Sequence, residues 1–197
     1  MSDRLHDENM PAYLAPLVGF RSRKAAQLCA YFAVIAGGII DKLKVIKLAY
    51  LSERKFLAEY HLPMLFDEFY SLPQGPICSS TLNGLDGLLH ECLWGEFVKK
   101  SGRDKIIATR KFDRDDLDEL SDAEIEILEA AWREFGNMSA WEIRNYTHEN
   151  CSEYTLVEKG RVPISYRSVL EALGDADAEL VDREIDELRR VENALSG

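Results

Sequence analysis

The central segment of the chain is residues 41–60, which read DKLKVIKLAYLSERKFLAEY. Its apolar residues recur every three or four positions, as they do along the buried face of an α-helix. Asp41 is a suitable N-cap and Pro63 follows the end of the pattern, so the segment predicts a helix that ends at Tyr60. The apolar face is broad enough for a central core helix and contains Leu43, Ile46, Tyr50, Leu51, Phe56 and Leu57.

A second amphipathic helix is predicted before this segment, over residues 22–35. Its apolar residues have helical spacing, and Gly37-Gly38 follow as a stop signal. Residues 1–20 show no sustained period and contain Pro11, Pro16 and Gly19. We therefore expect an N-terminal arm over residues 1–20.

The stretch after the central helix cannot continue as a helix. Residues 65–77 read LFDEFYSLPQGPI, in which Pro73 and Pro76 fix φ and Gly75 permits a conformation that other residues resist. The stretch predicts an extended segment and a rigid turn. A preformed aromatic turn suits partner binding because little entropy is lost on association. Packing of the same residues on the central helix is an equally good interpretation.

Helical spacing resumes over residues 81–92, and two short strands are predicted at 94–98 and 105–109. Ser101-Gly102 would join these strands into a β-hairpin over about residues 94–110. Seven of the sixteen residues from Lys99 to Arg114 are basic and two are acidic, a net charge of +5. Lysines on a hairpin can contact phosphate, but they also prevent edge-to-edge pairing of strands.

Two capping boxes predict the next two helices. Ser121 with Glu124 opens the first, and Ser139 with Glu142 opens the second. We expect Trp141 in the core because it lies in a capped helix, and we expect His148 to bond the last carbonyls of that helix.

A short helix over residues 166–173 and a last amphipathic helix complete the predicted fold. It is mainly α: a compact helical domain over residues 21–174 with a small β-hairpin insertion, followed by a C-terminal amphipathic helix over 175–197. The apolar seam of this last helix could mediate homo-oligomerisation.

Composition narrows the class of protein. The 35 acidic and 24 basic residues give a net charge of −11, which disfavours nucleic acid and anionic membranes as partners and favours a basic protein. Solubility alone could also explain this charge. The longest apolar stretch, residues 28–40, is too short to span a bilayer, and the N-terminus does not resemble a signal peptide. We therefore expect a cytoplasmic protein.

Signals for catalysis are weak. The pairs His90/Cys92 and His148/Cys151 could supply metal ligands, but Cys-x-x-Cys and His-Glu-x-x-His patterns are absent. A Cys/His or metal-dependent hydrolase would use Cys78, Cys151 or His148. The sequence has no nucleophile elbow, phosphate-binding glycine loop or dinucleotide fingerprint. We predict no catalytic residues, no metal and no cofactor.

Four motifs occur in an order that resembles a known family. They are the run LKVIKLAY at 43–50, Phe66-Asp67-Glu68, Gly75-Pro76-Ile77 and Thr147-His148-Glu149. This ordered set, over roughly residues 25–173, is similar to the Panacea or SocA-like antitoxin domain, which is related to phage-associated GepA proteins.

The resemblance implies a bacterial or phage antitoxin that neutralises a cognate toxin by direct protein–protein binding. In one branch of the family the protein is instead an adaptor that delivers the toxin to the ClpXP protease. Neither activity needs catalytic residues. The candidate partner-binding residues are Tyr50, Phe69, Tyr70, Pro73, Gly75 and Pro76.

Overall fold

The computed structural model describes residues 19–89 and 91–196. The helices are α1 (Ser22–Ile35), α2 (Lys42–Tyr60), α3 (Ser79–Leu85), α4 (Glu91–Phe97), α5 (Asp122–Phe135), α6 (Ala140–Asn150), α7 (Tyr166–Ala172) and α8 (Ala178–Ser196). The strands are β1 (Ile39–Asp41), β2 (Phe69–Leu72), β3 (Gly75–Cys78), β4 (Val98–Ser101), β5 (Lys105–Ala108) and β6 (Val162–Ile164). Most of the predicted N-terminal arm, residues 1–18, lies outside the described residues, as does His90.

The predicted central helix is confirmed as α2. It begins after Asp41, ends at Tyr60 and contacts α1, α5, α6 and β3. Its middle is buried on several sides, so that the polar side chains of Lys47, Ser52 and Glu53 are buried together with the apolar ones. α2 is therefore the element around which the core is assembled.

The strands form two three-stranded antiparallel sheets. One has the order β1-β5-β4 and the other has the order β3-β2-β6. β1 and β6 were not predicted because each has only three residues. β6 contains Pro163, which an edge strand tolerates because its N–H side need not be paired.

Two predicted boundaries between residues 81 and 98 are wrong. The helix predicted over 81–92 ends at Leu85, where Gly87 (φ +72°) and Leu88 bond back to the last turn in a Schellman arrangement. The strand predicted at 94–98 is mostly α4, since Trp94 and Phe97 are both buried one helical turn apart. The β-hairpin itself is confirmed, but it extends from Val98 to Ala108.

The C-terminal half is mainly helical, as predicted. Both capping boxes are present, with reciprocal Ser121–Glu124 and Ser139–Glu142 hydrogen bonds. In α8, the side chains of Ala178, Val181 and Ile185 are buried, whereas those of Leu188, Val191 and Leu195 are exposed. Self-association through α8 stays a prediction. Among the described residues, no helix combines the length and the apolarity that crossing a membrane requires.

Candidate partner-binding site

The β2–β3 hairpin turns at Pro73-Gln74, between the paired residues Leu72 and Gly75. Gly75 has a φ of +94°, which confirms the unusual conformation predicted for it. A Cβ atom at Gly75 would lie 2.8 Å from Lys47 Nζ and 2.9 Å from His148 Cδ2. Glycine is therefore required by the backbone conformation and again by the close packing.

The carbonyl oxygens of this hairpin are held by side chains from other parts of the chain. The three donors and their acceptors are Tyr154 to Leu72 (3.1 Å), Arg144 to Pro73 (3.3 Å) and Lys47 to Pro76 (2.7 Å). α2, α6 and the segment after α6 each contribute one bond, so three separate segments hold the turn. Such a turn would lose little conformational entropy when a partner binds it.

Three of the four motifs that carry the family resemblance meet at this turn. Lys47, from the LKVIKLAY run, and His148, from the Thr-His motif, both approach Gly75. The His148 ring packs against Tyr154, with 4.4 Å between ring centroids. The expected bond from His148 to the last carbonyls of α6 is therefore wrong. His148 does lie in the last turn of α6, but its ring covers Gly75 and interacts with the backbone of Gln74 in the hairpin.

Burial determines the electrostatics under the turn. Removal from water lowers the pKa of Lys47 from 10.5 to about 7, and the nearby Arg144 guanidinium also acts to lower it. Burial, Arg144 and Lys47 together lower the pKa of His148. Near neutral pH, Lys47 is therefore a hydrogen-bond donor whose positive charge is only partly present.

A second buried network joins α2 to the segment after α6. Tyr50 Oη donates to Glu153 Oε1 (2.7 Å), and Arg54 Nε donates to the same oxygen (2.7 Å). The Glu153 side chain is fully buried in this network. Tyr50 also packs edge-on against Phe69, with 5.3 Å between ring centroids.

Two buried carboxyl groups, those of Glu53 and Asp67, organise the loop between α2 and β2. Sequence analysis did not identify Glu53, and it named Asp67 only as part of a family motif. Glu53 accepts hydrogen bonds from the backbone N–H groups of Met64 and Leu65, and burial raises its pKa to about 8. Asp67 accepts from the N–H groups of Ser80 and Thr81 at the start of α3. The loop is therefore fixed to both neighbouring helices before β2 begins.

The six predicted site residues lie on α2 and the β2–β3 hairpin, at different depths. Four of them are buried, namely Tyr50, Phe69, Gly75 and Pro76. Tyr70 and Pro73 are partly exposed, and the Arg161 guanidinium lies 4.3 Å from the centroid of the Tyr70 ring. A partner could touch only Tyr70 and Pro73 directly, while the buried residues support the turn from within.

An apolar groove lies beside the turn, with a volume of about 470 Å³. Trp141, at its rim, is 61% exposed, so its predicted place in the core is wrong. The buried face of α6 follows Ile143 and Thr147, and Trp141 is off this face by two residues. We call this depression the Trp141 groove; its apolar walls are Leu43, Ile46, Leu72, Ile77, Leu82 and Ala140.

The cysteines proposed for a hydrolase are poorly placed for nucleophilic attack. Cys78 and Cys151 are both buried. Burial raises the pKa of Cys151 to about 12 and that of Cys78 well above its usual value. A nucleophilic cysteine needs an accessible thiolate, and both conditions are opposed here. Within the part of the chain that the structure describes, no three His, Cys, Asp or Glu side chains are grouped as a metal site would require.

Comparison with known proteins decides the family. The family model for the antitoxin SocA-like, Panacea domain matches residues 45–155. This chain belongs to the Panacea domain family. The match begins inside α2 and ends just after Tyr154, so this Panacea domain contains the β2–β3 hairpin, the residues that hold it and most of the Trp141 groove. α1, α7 and α8 lie outside the matched residues.

Neither the curated proteins nor the solved structures include a significant match to this chain.

Proposed function

We propose that this chain is an antitoxin that binds its cognate toxin directly and thereby neutralises it. The observation that carries the proposal is the Panacea domain over residues 45–155, the domain of SocA-like antitoxins. The geometry supports it: a turn held by three hydrogen bonds stands beside an apolar groove with an exposed tryptophan. A preorganised surface with an aromatic anchor is typical of protein–protein recognition.

Charge indicates the kind of toxin. The chain has a net charge of −11, so a basic toxin would be attracted over a distance and would associate faster at low salt. We expect such a toxin to act on an acidic target such as RNA. We expect the complex to form in the cytoplasm, without a metal or a cofactor.

Co-expression tests the proposal. The product of the gene that flanks this one is expressed alone and together with this chain, growth is scored, and the two proteins are purified through a tag on the toxin. We expect growth arrest by the neighbour alone, rescue by this chain and a stable complex. A neighbour that does not arrest growth, or rescue without any complex, would contradict direct neutralisation.

The same experiment distinguishes delivery to a protease. If rescue depends on ClpXP and the toxin disappears from the cell, the chain is an adaptor and direct neutralisation is wrong. The double variant Tyr70→Ala, Pro73→Ala tests the predicted site, and Leu180→Ala, which changes an exposed apolar side chain on α8, is the control. We expect loss of rescue only for the double variant.

A further inference from the structure

The side chain of Trp141 is unusually exposed to solvent for a tryptophan. It is 61% exposed, whereas Trp94 is 3% exposed and packs in the core. An indole ring buries a large apolar area when it is covered, and tryptophan is among the residues that most often dominate the energy of protein interfaces. The backbone of Trp141 is held in position, because the capping box of Ser139 and Glu142 stabilises the first turn of α6.

The Trp141 groove has the size and lining of a side-chain receptor. Its volume of about 470 Å³ lies within the range of sites that bind small organic groups. Its walls come from α2, the β2–β3 hairpin, α3 and α6, which are all elements of regular secondary structure. A large aliphatic or aromatic side chain could therefore enter it without rearrangement of the backbone.

Three charged residues also line the groove, namely Asp41, Lys42 and Asp104. Asp41 pairs with Lys105 (2.9 Å), and the neighbouring Lys42 pairs with Asp86 (2.7 Å), so both lysines are already engaged. Among the described residues, no cation pairs with the exposed Asp104 carboxylate. A lysine or arginine of a partner could therefore form an ion pair with Asp104 beside the apolar cavity.

We propose that the Trp141 groove receives a segment of the toxin in which a large apolar side chain is followed closely by a lysine or arginine. The apolar side chain fills the cavity against Trp141, and the basic side chain pairs with Asp104. This inference rests on the proposed function and names the chemistry of the partner at that site. Charge favours a basic toxin over a second copy of this chain, since a second copy would bring its own net charge of −11.

The test measures affinity with full-length variants and the toxin that the wild-type chain binds. Trp141→Ala should raise Kd at least tenfold, as expected for a central aromatic anchor. Asp104→Asn should raise Kd severalfold and make the affinity less sensitive to salt, as expected for a charge at the rim. The controls are Leu156→Ala, which changes another highly exposed apolar side chain, and Asp115→Asn, which changes another exposed aspartate.

Fluorescence gives a second readout. The emission of the wild-type chain should move to shorter wavelength in the complex as Trp141 leaves water, and this shift should be absent in Trp141→Phe. Circular dichroism and thermal unfolding establish that each variant is folded.

The outcomes separate this inference from the proposed function. A wild-type chain that binds no toxin defeats the proposed function itself. If the wild type and Trp141→Ala bind with Kd values within twofold of each other, the groove is not the binding site, although the antitoxin function stands. If the free chain is a dimer and Trp141→Ala makes it monomeric, the occupant is a second copy, and the inference is overturned in favour of self-association.

Discussion

The β2–β3 and β4–β5 hairpins contain similar residues in opposite environments. Each turn includes a glycine with positive φ, Gly75 at +94° and Gly102 at +70°. A Cβ atom added at Gly75 would lie within 3.0 Å of Lys47 and His148, whereas one added at Gly102 would have no heavy atom within 4 Å other than those of Gly102 and its chain neighbours. The same residue type is thus required by packing in one hairpin and only by backbone conformation in the other.

Lysines show the same contrast. Lys47 is fully buried below the first hairpin and donates to the Pro76 carbonyl. In the second hairpin, Lys100 and Lys105 are nearly half exposed and pair with Asp86 and Asp41 at the surface. These pairs offset part of the positive charge of residues 99–114, which weakens the case for nucleic acid binding there. We therefore expect the packing around β2–β3 to restrict that hairpin to one conformation, and we expect β4–β5 to tolerate substitution at its surface.

The largest expected difference between the two hairpins is the loss of stability when the glycine of each is replaced by alanine. Gly75→Ala forces a strained φ and drives a methyl group into the buried Lys47 amine, so we expect a loss of roughly 3 kcal/mol or more in the free energy of unfolding. Gly102→Ala should lower the free energy of unfolding by only about 1 kcal/mol, which is the cost of placing alanine in the left-handed conformation. Urea denaturation of both variants measures the difference. Equal losses would show that packing around Gly75 does not constrain the turn.

The pH dependence of stability should distinguish the lysines. Burial lowers the pKa of Lys47 to about 7 in the folded chain, below its usual 10.5. Below about pH 7 the amine is charged in both the folded and the unfolded chain, so the full cost of burying the charge is present there. This cost disappears as pH rises towards 10.5. The stability of the wild type relative to Lys47→Met should therefore increase by roughly 1–3 kcal/mol between pH 6.5 and 9.

Chemical denaturation at the two pH values provides this measurement, and Lys105→Met, in the other hairpin, is the matched control. A constant difference between the wild type and Lys47→Met would mean that the Lys47 amine titrates as it does in water, and that water reaches it.

Much of the fold could be predicted because its signals are local. The apolar period of α2, both capping boxes and the rigid turn at residues 73–76 each depend on neighbouring residues, and all are present. The three-residue strands could not be predicted, because β1 and β6 exist only through pairing with distant strands. The helix at 91–97 was mistaken for a strand because a segment of seven residues contains too few apolar positions to fix the period.

The site was predicted less completely than the fold. The sequence identified the hairpin and its glycine, but no local pattern reveals that Lys47, Arg144 and Tyr154 hold its carbonyl oxygens from three different segments. Trp141 was recoverable: the period set by Ile143 and Thr147 places it away from the buried face of α6. Trp141 was assigned to the core because it lies in a capped helix, but the helical period, which the assignment did not use, places it outside the core.

The smallest effects are expected at the surface of the second hairpin. Lys105→Ala removes an ion pair with Asp41 in which both side chains are substantially exposed, so the free energy of unfolding should change by less than about 0.5 kcal/mol. Growth rescue should persist, because Lys105 is not among the residues of the turn or the walls of the Trp141 groove. Thermal unfolding and the co-expression assay check both expectations. Loss of rescue by a stable Lys105→Ala variant would instead place the β4–β5 hairpin in the binding surface, and the contrast between the two hairpins would then be one of stability and not of function.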